Sequence, residues 1–251
     1  MTWGTFTPAH IITLVAAVAM VAGLYFILRN RSEKCKTVVL GVLSFSGIAA
    51  IIFNLLVWDA PLAYLPLHLC SINAMVLPVA VLSRNKTVCN LLLVWCLGAL
   101  AALVLNYEVV NMKLWSWTFF FYYFPHVMEC GIPVLLFALK MVKKDPKCIG
   151  STMAISMGVY TVVHLLNLWI NAWCNANQFG YGGVYQANYM FSIQATNPLV
   201  ALFAQIIPAP YWHMYMVLPI VLVYLLIVYA PEIYKTIKNK KCVTVEVNPK
   251  V

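Results

Sequence analysis

Charged residues are scarce in this chain. Only 9% of its 251 residues are charged and only seven are acidic, whereas 63% are hydrophobic. From Cys148 to Pro231 the sequence contains no Asp, Glu, Lys or Arg. A soluble domain carries about a quarter charged residues, so the composition excludes an ordinary soluble protein. Most of the surface of this chain must therefore be covered by protein or by lipid.

Common metal and disulfide motifs are also missing. The eight cysteines are scattered, with no CxxC pair and no evident partner for Cys174, so neither a zinc site nor a disulfide scaffold is indicated. The histidines form no HxxxH or HExxH pair, and we expect no bound metal and no cofactor. The first ten residues lack a basic region with a small-residue cleavage site, so a removable signal peptide is not expected.

The sequence instead contains a series of long hydrophobic runs. Each run has roughly 20 residues, which is enough to cross a hydrocarbon core about 30 Å thick. Unbroken runs favour helices, because lipid offers no partner to exposed backbone groups. The sequence therefore predicts an all-α polytopic membrane protein, a bundle of seven transmembrane helices that forms one domain over residues 1–234. The predicted spans are about 8–28, 37–58, 61–83, 87–106, 115–142, 148–174 and 209–230.

Basic residues accumulate on one side of the predicted bundle. Fifteen of the sixteen Lys and Arg residues follow spans one, three, five or seven, and only Lys113 falls on the other side. By the positive-inside rule the N-terminus lies outside the cell membrane, and residues 235–251 form a basic cytoplasmic tail. This distribution explains the net charge of +9 as a topology signal, so we expect no nucleic-acid partner.

Several ionisable or acylable side chains lie inside the predicted spans. A histidine or carboxylate in hydrocarbon costs several kcal/mol unless it is paired or hydrated, so such residues are functional candidates. A rise of about 1.5 Å per residue brings most of them to similar depths in the outer half of the bilayer. The sequence therefore predicts a single buried polar cavity. The candidates are His68, Cys70, His126, Glu129, His164 and His213.

Further polar residues extend this set. His164, Asn167 and Asn171 recur at helical spacing, which gives span six a polar stripe that should face the bundle interior. The charge-free segment at about 175–208 is either a lid over the site or an aromatic belt at headgroup level. Within it, Thr196-Asn197-Pro198 predicts the start of a short helix to about Ile207. The predicted substrate-binding residues are His164, Asn167, Asn171, Asn73, Asn188, Tyr189 and His213.

The residue types alone leave several functions open. Histidines could act as acid and base for an adjacent nucleophile, Cys70 or Ser71, with Glu129 orienting an imidazole. The same groups could relay protons or bind a solute in a transporter or a ligand-binding receptor. They could also hold helices together by hydrogen bonds in a protein without chemistry, such as a signalling or assembly factor.

Two stretches carry a resemblance to a known family. Tyr64-Leu65-Pro66-Leu67-His68-Leu69-Cys70-Ser71 and Tyr122-Tyr123-Phe124-Pro125-His126-Val127-Met128 resemble motifs of the YwaF-type integral membrane proteins of bacteria, as do the later His164 and Asn188-Tyr189-Met190. These proteins are similar to a eukaryotic transmembrane acyltransferase that forms polyunsaturated ether phospholipids. The resemblance covers about 40–230 and implies acyl transfer between membrane lipids, from a donor phospholipid to a lysophospholipid.

The resemblance also implies roles for individual residues. His68 and His126 match the family's histidine positions and would be the acid and base groups. Leu67 occupies the position of the nucleophilic cysteine proposed for the eukaryotic enzyme, and leucine cannot be acylated. Cys70 then replaces it, or transfer proceeds by direct base catalysis, or the chain does something else. The leading hypothesis is lipid-directed acyl transfer or acyl-ester hydrolysis.

Overall fold

The chain folds almost entirely into helices. A computed structural model describes residues 2–58, 61–106, 109–179 and 186–246, with side chains up to residue 238 except that of residue 61. Within these ranges the one extended pairing is an isolated bridge between Thr2 and Lys113, so the predicted all-α class is confirmed. The helices are α1 Pro8–Leu28, α2 Glu33–Ser44, α3 Ser46–Val57, α4 Leu69–Ser83, α5 Lys86–Leu105, α6 Trp117–Ala138, α7 Cys148–Ala176, α8 Pro198–Ala204 and α9 Val217–Glu246.

Six helical segments are long and apolar enough to cross a membrane. They correspond to six of the seven predicted spans, which confirms a multi-pass membrane protein. The final segment continues without a break past residue 234, where the cytoplasmic tail was predicted to begin, and residues 247–251 of that tail lie outside the described chain. The six segments are Pro8–Leu28, Glu33–Val57, Lys86–Leu105, Trp117–Ala138, Cys148–Ala176 and Trp212–Lys238.

The third predicted span, 61–83, is helical over only part of its length. Its 15-residue helix α4 rises about 22 Å, less than the hydrocarbon thickness of about 30 Å. Pro66 has no N–H to donate, and proline disfavours a helical conformation at the residue before it, which opposes an earlier start of the helix. His68 is consequently the N-cap of α4, with extended φ and ψ of −74° and 152°. The prediction of a continuous helix through His68, on which its estimated depth depended, is therefore wrong.

The short helix α8 begins as its sequence predicts. The Asn197 side chain accepts hydrogen bonds from the backbone N–H groups of Leu199 and Val200, at 2.9 and 3.4 Å, and Pro198 occupies the first turn. Asparagine at the N-cap and proline at the first helical position are favoured by local backbone chemistry alone. The helix ends at Ala204, three residues earlier than predicted.

Helix α5 is at the centre of the bundle. It packs against α4, α6 and α7, and the main hydrophobic core lies on α5 and α6. Large apolar side chains are exposed on the outer helices, as at Val18 in α1, which is 70% exposed. A monomeric soluble protein does not expose so much apolar surface, whereas a lipid-facing surface requires it. Among α3 to α9 the interior is incompletely filled.

Candidate functional site

A large cavity occupies the bundle interior among α3, α4, α5, α6, α7, α8 and α9. Its volume is about 770 Å³, and apolar side chains make up most of its lining. Pockets that enclose small organic ligands have volumes of about 300–1,000 Å³, with a few polar groups on apolar walls. The structure places four of the predicted site residues on this wall: His68, Cys70, His126 and Glu129.

His126 presents a proton-accepting nitrogen. Its Nδ1 lies 2.6 Å from the backbone oxygen of Tyr122, one helical turn earlier on α6. A carbonyl oxygen can only accept, so Nδ1 carries the proton and Nε2 of the neutral ring keeps its lone pair. The ring stacks on Tyr122, with 4.4 Å between ring centroids. His126 is therefore held in the tautomer that a general base requires.

His68 has the opposite tautomer. The backbone N–H of Met190 donates to His68 Nδ1 across a long 3.4 Å hydrogen bond. Since a backbone N–H can only donate, Nδ1 carries the lone pair, and the neutral ring has its proton on Nε2. The two imidazoles of the cavity wall thus carry their protons on different nitrogens, Nδ1 in His126 and Nε2 in His68.

The N-terminus of α4 adds hydrogen-bond donors to the same wall. The backbone N–H groups of Leu69, Cys70 and Ser71 find no backbone or side-chain oxygen acceptor in the described part of the chain, and His68 supplies no side-chain cap. All three residues line the cavity. The Cys70 thiol lies beside the N–H groups of Cys70 and Ser71 and beside the Ser71 hydroxyl. Unpaired N–H groups at a helix start favour negative charge.

Glu129 is a buried carboxyl on the cavity wall. It is 3% exposed, and its Oε2 has no hydrogen-bond partner among the described residues. It interacts electrostatically with Cys70. The contact by which Glu129 would orient an imidazole stays a prediction. The described ranges contain no cluster of three His, Cys, Asp or Glu side chains that could hold a metal ion.

The polar stripe of α7 faces another part of the chain. Asn171 bonds to both the N–H and the oxygen of Ala187, at 2.5 and 3.1 Å, and Asn167 does the same to Tyr189, at 3.1 and 2.8 Å. His164 Nδ1 lies 3.0 Å from Ser192 Oγ. The two amides therefore clamp the segment 186–192 to α7 as a neighbouring strand would. None of the three stripe residues lines the cavity, and their predicted contact with substrate stays a prediction.

The other predicted binding residues also lie off the cavity wall. Asn188 accepts hydrogen bonds from Ile193 and Gln194 within its own turn. His213 Nε2 donates to the Phe191 oxygen at 2.9 Å. The remaining two, Tyr189 and Asn73, are buried and do not line the cavity.

The segment 186–192 nevertheless shapes the site. Met190 and Phe191, both with positive φ, line the cavity, and the Met190 N–H fixes the His68 tautomer. Tyr189 packs edge-on against the His68 ring, with 5.4 Å between centroids. The predicted binding residues on α7 therefore support His68 indirectly, through the segment that they clamp.

Two tyrosines on the cavity wall were not predicted from the sequence. Tyr160 and Tyr215 line the cavity, and Tyr211 links them by ring stacking and hydrogen bonds. Tyr160 lies four residues before His164, so the helical spacing that revealed the polar stripe would also have reached it. Tyr215 lies in a 3-10 turn before α9 and carried no periodic signal.

Comparison with known proteins gives one match. The model of the TMEM164 family matches residues 5–229, nearly the whole chain. Neither the curated proteins nor the solved structures include a significant match. The apolar helices and the family match agree on a membrane protein. The chain belongs to the TMEM164 family, a family of transmembrane proteins.

Proposed function

We propose that this protein transfers or hydrolyses acyl esters of membrane lipids inside its bundle cavity. The observation that carries the proposal is the meeting of His68, Cys70 and His126 with the free N–H groups of α4 on one apolar wall. A base that can return its proton, a nucleophile and hydrogen bonds for an oxyanion are the groups that acyl transfer needs. Most of the helices that line the cavity are long and apolar enough to span a membrane, so we expect its substrates to come from the bilayer.

In the covalent route, His126 Nε2 takes the Cys70 thiol proton as the sulfur attacks the ester carbonyl carbon. The tetrahedral oxyanion accepts hydrogen bonds from the N–H groups that begin α4. When the carbon–oxygen bond breaks, the departing lipid alcohol takes a proton from the imidazolium, leaving a thioester on Cys70. Attack by the hydroxyl of a second lipid restores the thiol and completes transfer, whereas attack by water completes hydrolysis.

A direct route uses the same wall without an acyl-enzyme. His126 Nε2 takes the proton of the acceptor hydroxyl as that oxygen attacks the ester carbonyl, and the leaving alcohol recovers the proton. The two routes differ only in the need for Cys70. Leu67 stands where the related eukaryotic acyltransferase is proposed to carry its cysteine, so Cys70, in the first turn of α4, is the available thiol.

The test is acyl-chain redistribution in mixed liposomes. Purified protein is incubated with a phospholipid carrying an isotope-labelled acyl chain and with unlabelled acceptor lipids, and products are followed by mass spectrometry. We expect His126→Ala to lower the rate about 10²–10⁴-fold, the usual contribution of a general base. His10→Ala is the matched control, because His10 is buried away from the cavity with both nitrogens bonded to backbone groups of Phe6 and Leu103.

The outcomes separate the hypotheses. Redistribution that survives both His126→Ala and His68→Ala would remove these histidines as catalysts. No redistribution by the wild type, together with solute flux, would favour a transporter that uses the same cavity. Hydroxylamine-sensitive labelling that Cys70→Ser abolishes supports the covalent route, and full activity of Cys70→Ala supports the direct one.

A further inference from the structure

Hydroxyl protons on one side of the cavity are already engaged by the protein. The Tyr160 hydroxyl donates to the backbone oxygen of Tyr211 at 2.7 Å, and the Ser156 hydroxyl donates to that of Thr152 at 2.8 Å. Both donors line the cavity. A hydroxyl has one proton and two lone pairs, so these oxygens can only accept a further hydrogen bond.

The Tyr215 oxygen can also only accept a further hydrogen bond, because of the direction of a chain of hydrogen bonds. Thr161 Oγ1 donates to the Met157 oxygen at 2.8 Å, so the 2.8 Å contact between Thr161 and Tyr211 must be donated by Tyr211. The 2.7 Å contact between the Tyr211 and Tyr215 hydroxyls must then be donated by Tyr215. The Tyr215 proton is thereby engaged, and only its lone pair is left for a ligand.

Tyr160 and Tyr215 are neighbours, with ring centroids 6.3 Å apart and planes at 81°. They form a pair of acceptor-only oxygens on the wall. A ligand group that binds them must supply a proton, as an alcohol or an ammonium does. The described lining contains no Lys or Arg to balance a phosphate.

An alcohol fits this pair better than an ammonium does. Transfer of a full positive charge into an apolar site is far more costly than transfer of a hydroxyl, and it needs a paired carboxylate. Glu129 lies where α3 meets α4, close to Gly47 and Ala74, whereas the tyrosines belong to α7 and to the turn before α9. The pair offers neutral acceptors, which suit a neutral donor.

We propose that Tyr160 and Tyr215 bind one hydroxyl of an uncharged lipid alcohol of the monoacylglycerol type, whose other hydroxyl supplies the attacking oxygen. This inference rests on the proposed function, in which that alcohol is the acyl acceptor. The two tyrosines set specificity by selecting a ligand that can donate a hydrogen bond. The hydrogen bonds from Tyr215 to Tyr211 and from Tyr211 to Thr161 keep the Tyr215 oxygen an acceptor toward the ligand.

The test measures equilibrium binding to the purified full-length protein in detergent, without an acyl donor. The probes are a monoacylglycerol, the same lipid with its hydroxyls methylated, and a lysophospholipid of equal chain length. The wild type should prefer the hydroxyl form over the ether about tenfold, the value of one buried hydrogen bond. It should also prefer the monoacylglycerol over the lysophospholipid.

Variants test the direction of the hydrogen bonds that run from Tyr215 through Tyr211 to Thr161. Tyr215→Phe should abolish most of the preference for the hydroxyl form. Thr161→Val removes the acceptor of the Tyr211 proton, so Tyr211 donates to Tyr215 and the Tyr215 proton turns to the ligand. The preference should then fall about tenfold, while Thr161→Ser keeps the chain and the preference. A ratio of two affinities on one protein does not depend on the fraction that is folded.

Three results would each overturn the proposal. They are an ether bound as tightly as the alcohol by the wild type, a ratio of the two affinities left unchanged by Thr161→Val, and a lysophospholipid bound more tightly than the monoacylglycerol. If acyl redistribution occurs without the binding preference, this subsite is wrong and the proposed reaction stands. The preference without any redistribution overturns the reaction alone.

Discussion

Gly47 stands at a close helix crossing in the cavity wall, and Gly47→Ala should destabilise the bundle. A Cβ at this position would lie 2.5 Å from Ala74 Cβ, 3.3 Å from Ala74 Cα and 3.0 Å from Glu129 Oε1. The Ala74 atoms belong to a helix backbone and its first side-chain carbon, so no rotamer change can relieve the contact. Helices α3 and α4 must separate, which also displaces the Glu129 carboxyl.

Two opposing terms determine the size of the effect. Overpacking of a tight site costs about 1–3 kcal/mol, whereas alanine in a helix is favoured over glycine by about 0.5–1 kcal/mol. Gly158→Ala on α7 is the matched control, because an added Cβ there has no heavy neighbour within 4 Å. The difference between the two variants isolates the steric cost, again about 1–3 kcal/mol, or roughly 2–12 °C in melting temperature for a chain of this size.

The assay is thermal unfolding of each variant in the same detergent, followed by tryptophan fluorescence. Gly158→Ala should melt at or above the wild-type temperature, and Gly47→Ala should melt below it. Adding Ala74→Gly to Gly47→Ala removes the clashing carbon and should recover part of the loss. Equal melting temperatures for the two single variants would refute the close approach of α3 and α4.

Three further predictions concern the clamp, the Lys86–Asp145 ion pair and α8. Asn167→Leu removes the two hydrogen bonds from the Asn167 amide to the N–H and the oxygen of Tyr189, which should cost about 1–3 kcal/mol and raise hydrogen exchange over residues 187–192. The Lys86 ammonium, bonded to Asp145, lowers the pKa of that carboxyl, so the pair adds stability above the ordinary pKa of about 3.9. This stability disappears as the pH falls through the lowered value, and a pH series of melting curves should show Lys86→Met less stable than wild type at neutral pH and equal to it in strong acid. Asn197→Ala should cost α8 about 1 kcal/mol and speed hydrogen exchange at its first turn, and unchanged exchange there would contradict the capping contact.

The boundary between sequence and tertiary control is clear in the third predicted span. Hydropathy over residues 61–83 reflects the free energy of transferring the side chains from water into lipid. It does not report whether the backbone is helical. Pro66 and the 3-10 turn at Pro61–Tyr64 restrict the helix to Leu69–Ser83. As a result His68 caps α4 at the cavity. The irregular residues before it are tolerated because non-helical backbone at membrane depth is stable where it lines a protein cavity.

The α7 stripe shows a second limit of the sequence. Helical spacing correctly placed His164, Asn167 and Asn171 on one face, because that depends only on local geometry. It could not identify what the face contacts. The amides bond to Ala187 and Tyr189, residues that only the folded chain brings opposite α7.

The sequence by itself determined the membrane-protein class, the six long apolar helices and several of the buried polar residues. These follow from the free energy of transferring each residue from water, which is additive along the chain. Only the tertiary structure decided which of those polar groups share the cavity, which nitrogen of each imidazole carries its proton, and which way the tyrosine hydroxyls donate. The physical reason is that each of these depends on a hydrogen-bond partner distant in sequence or on backbone geometry at short range. Residue type and hydropathy contain neither.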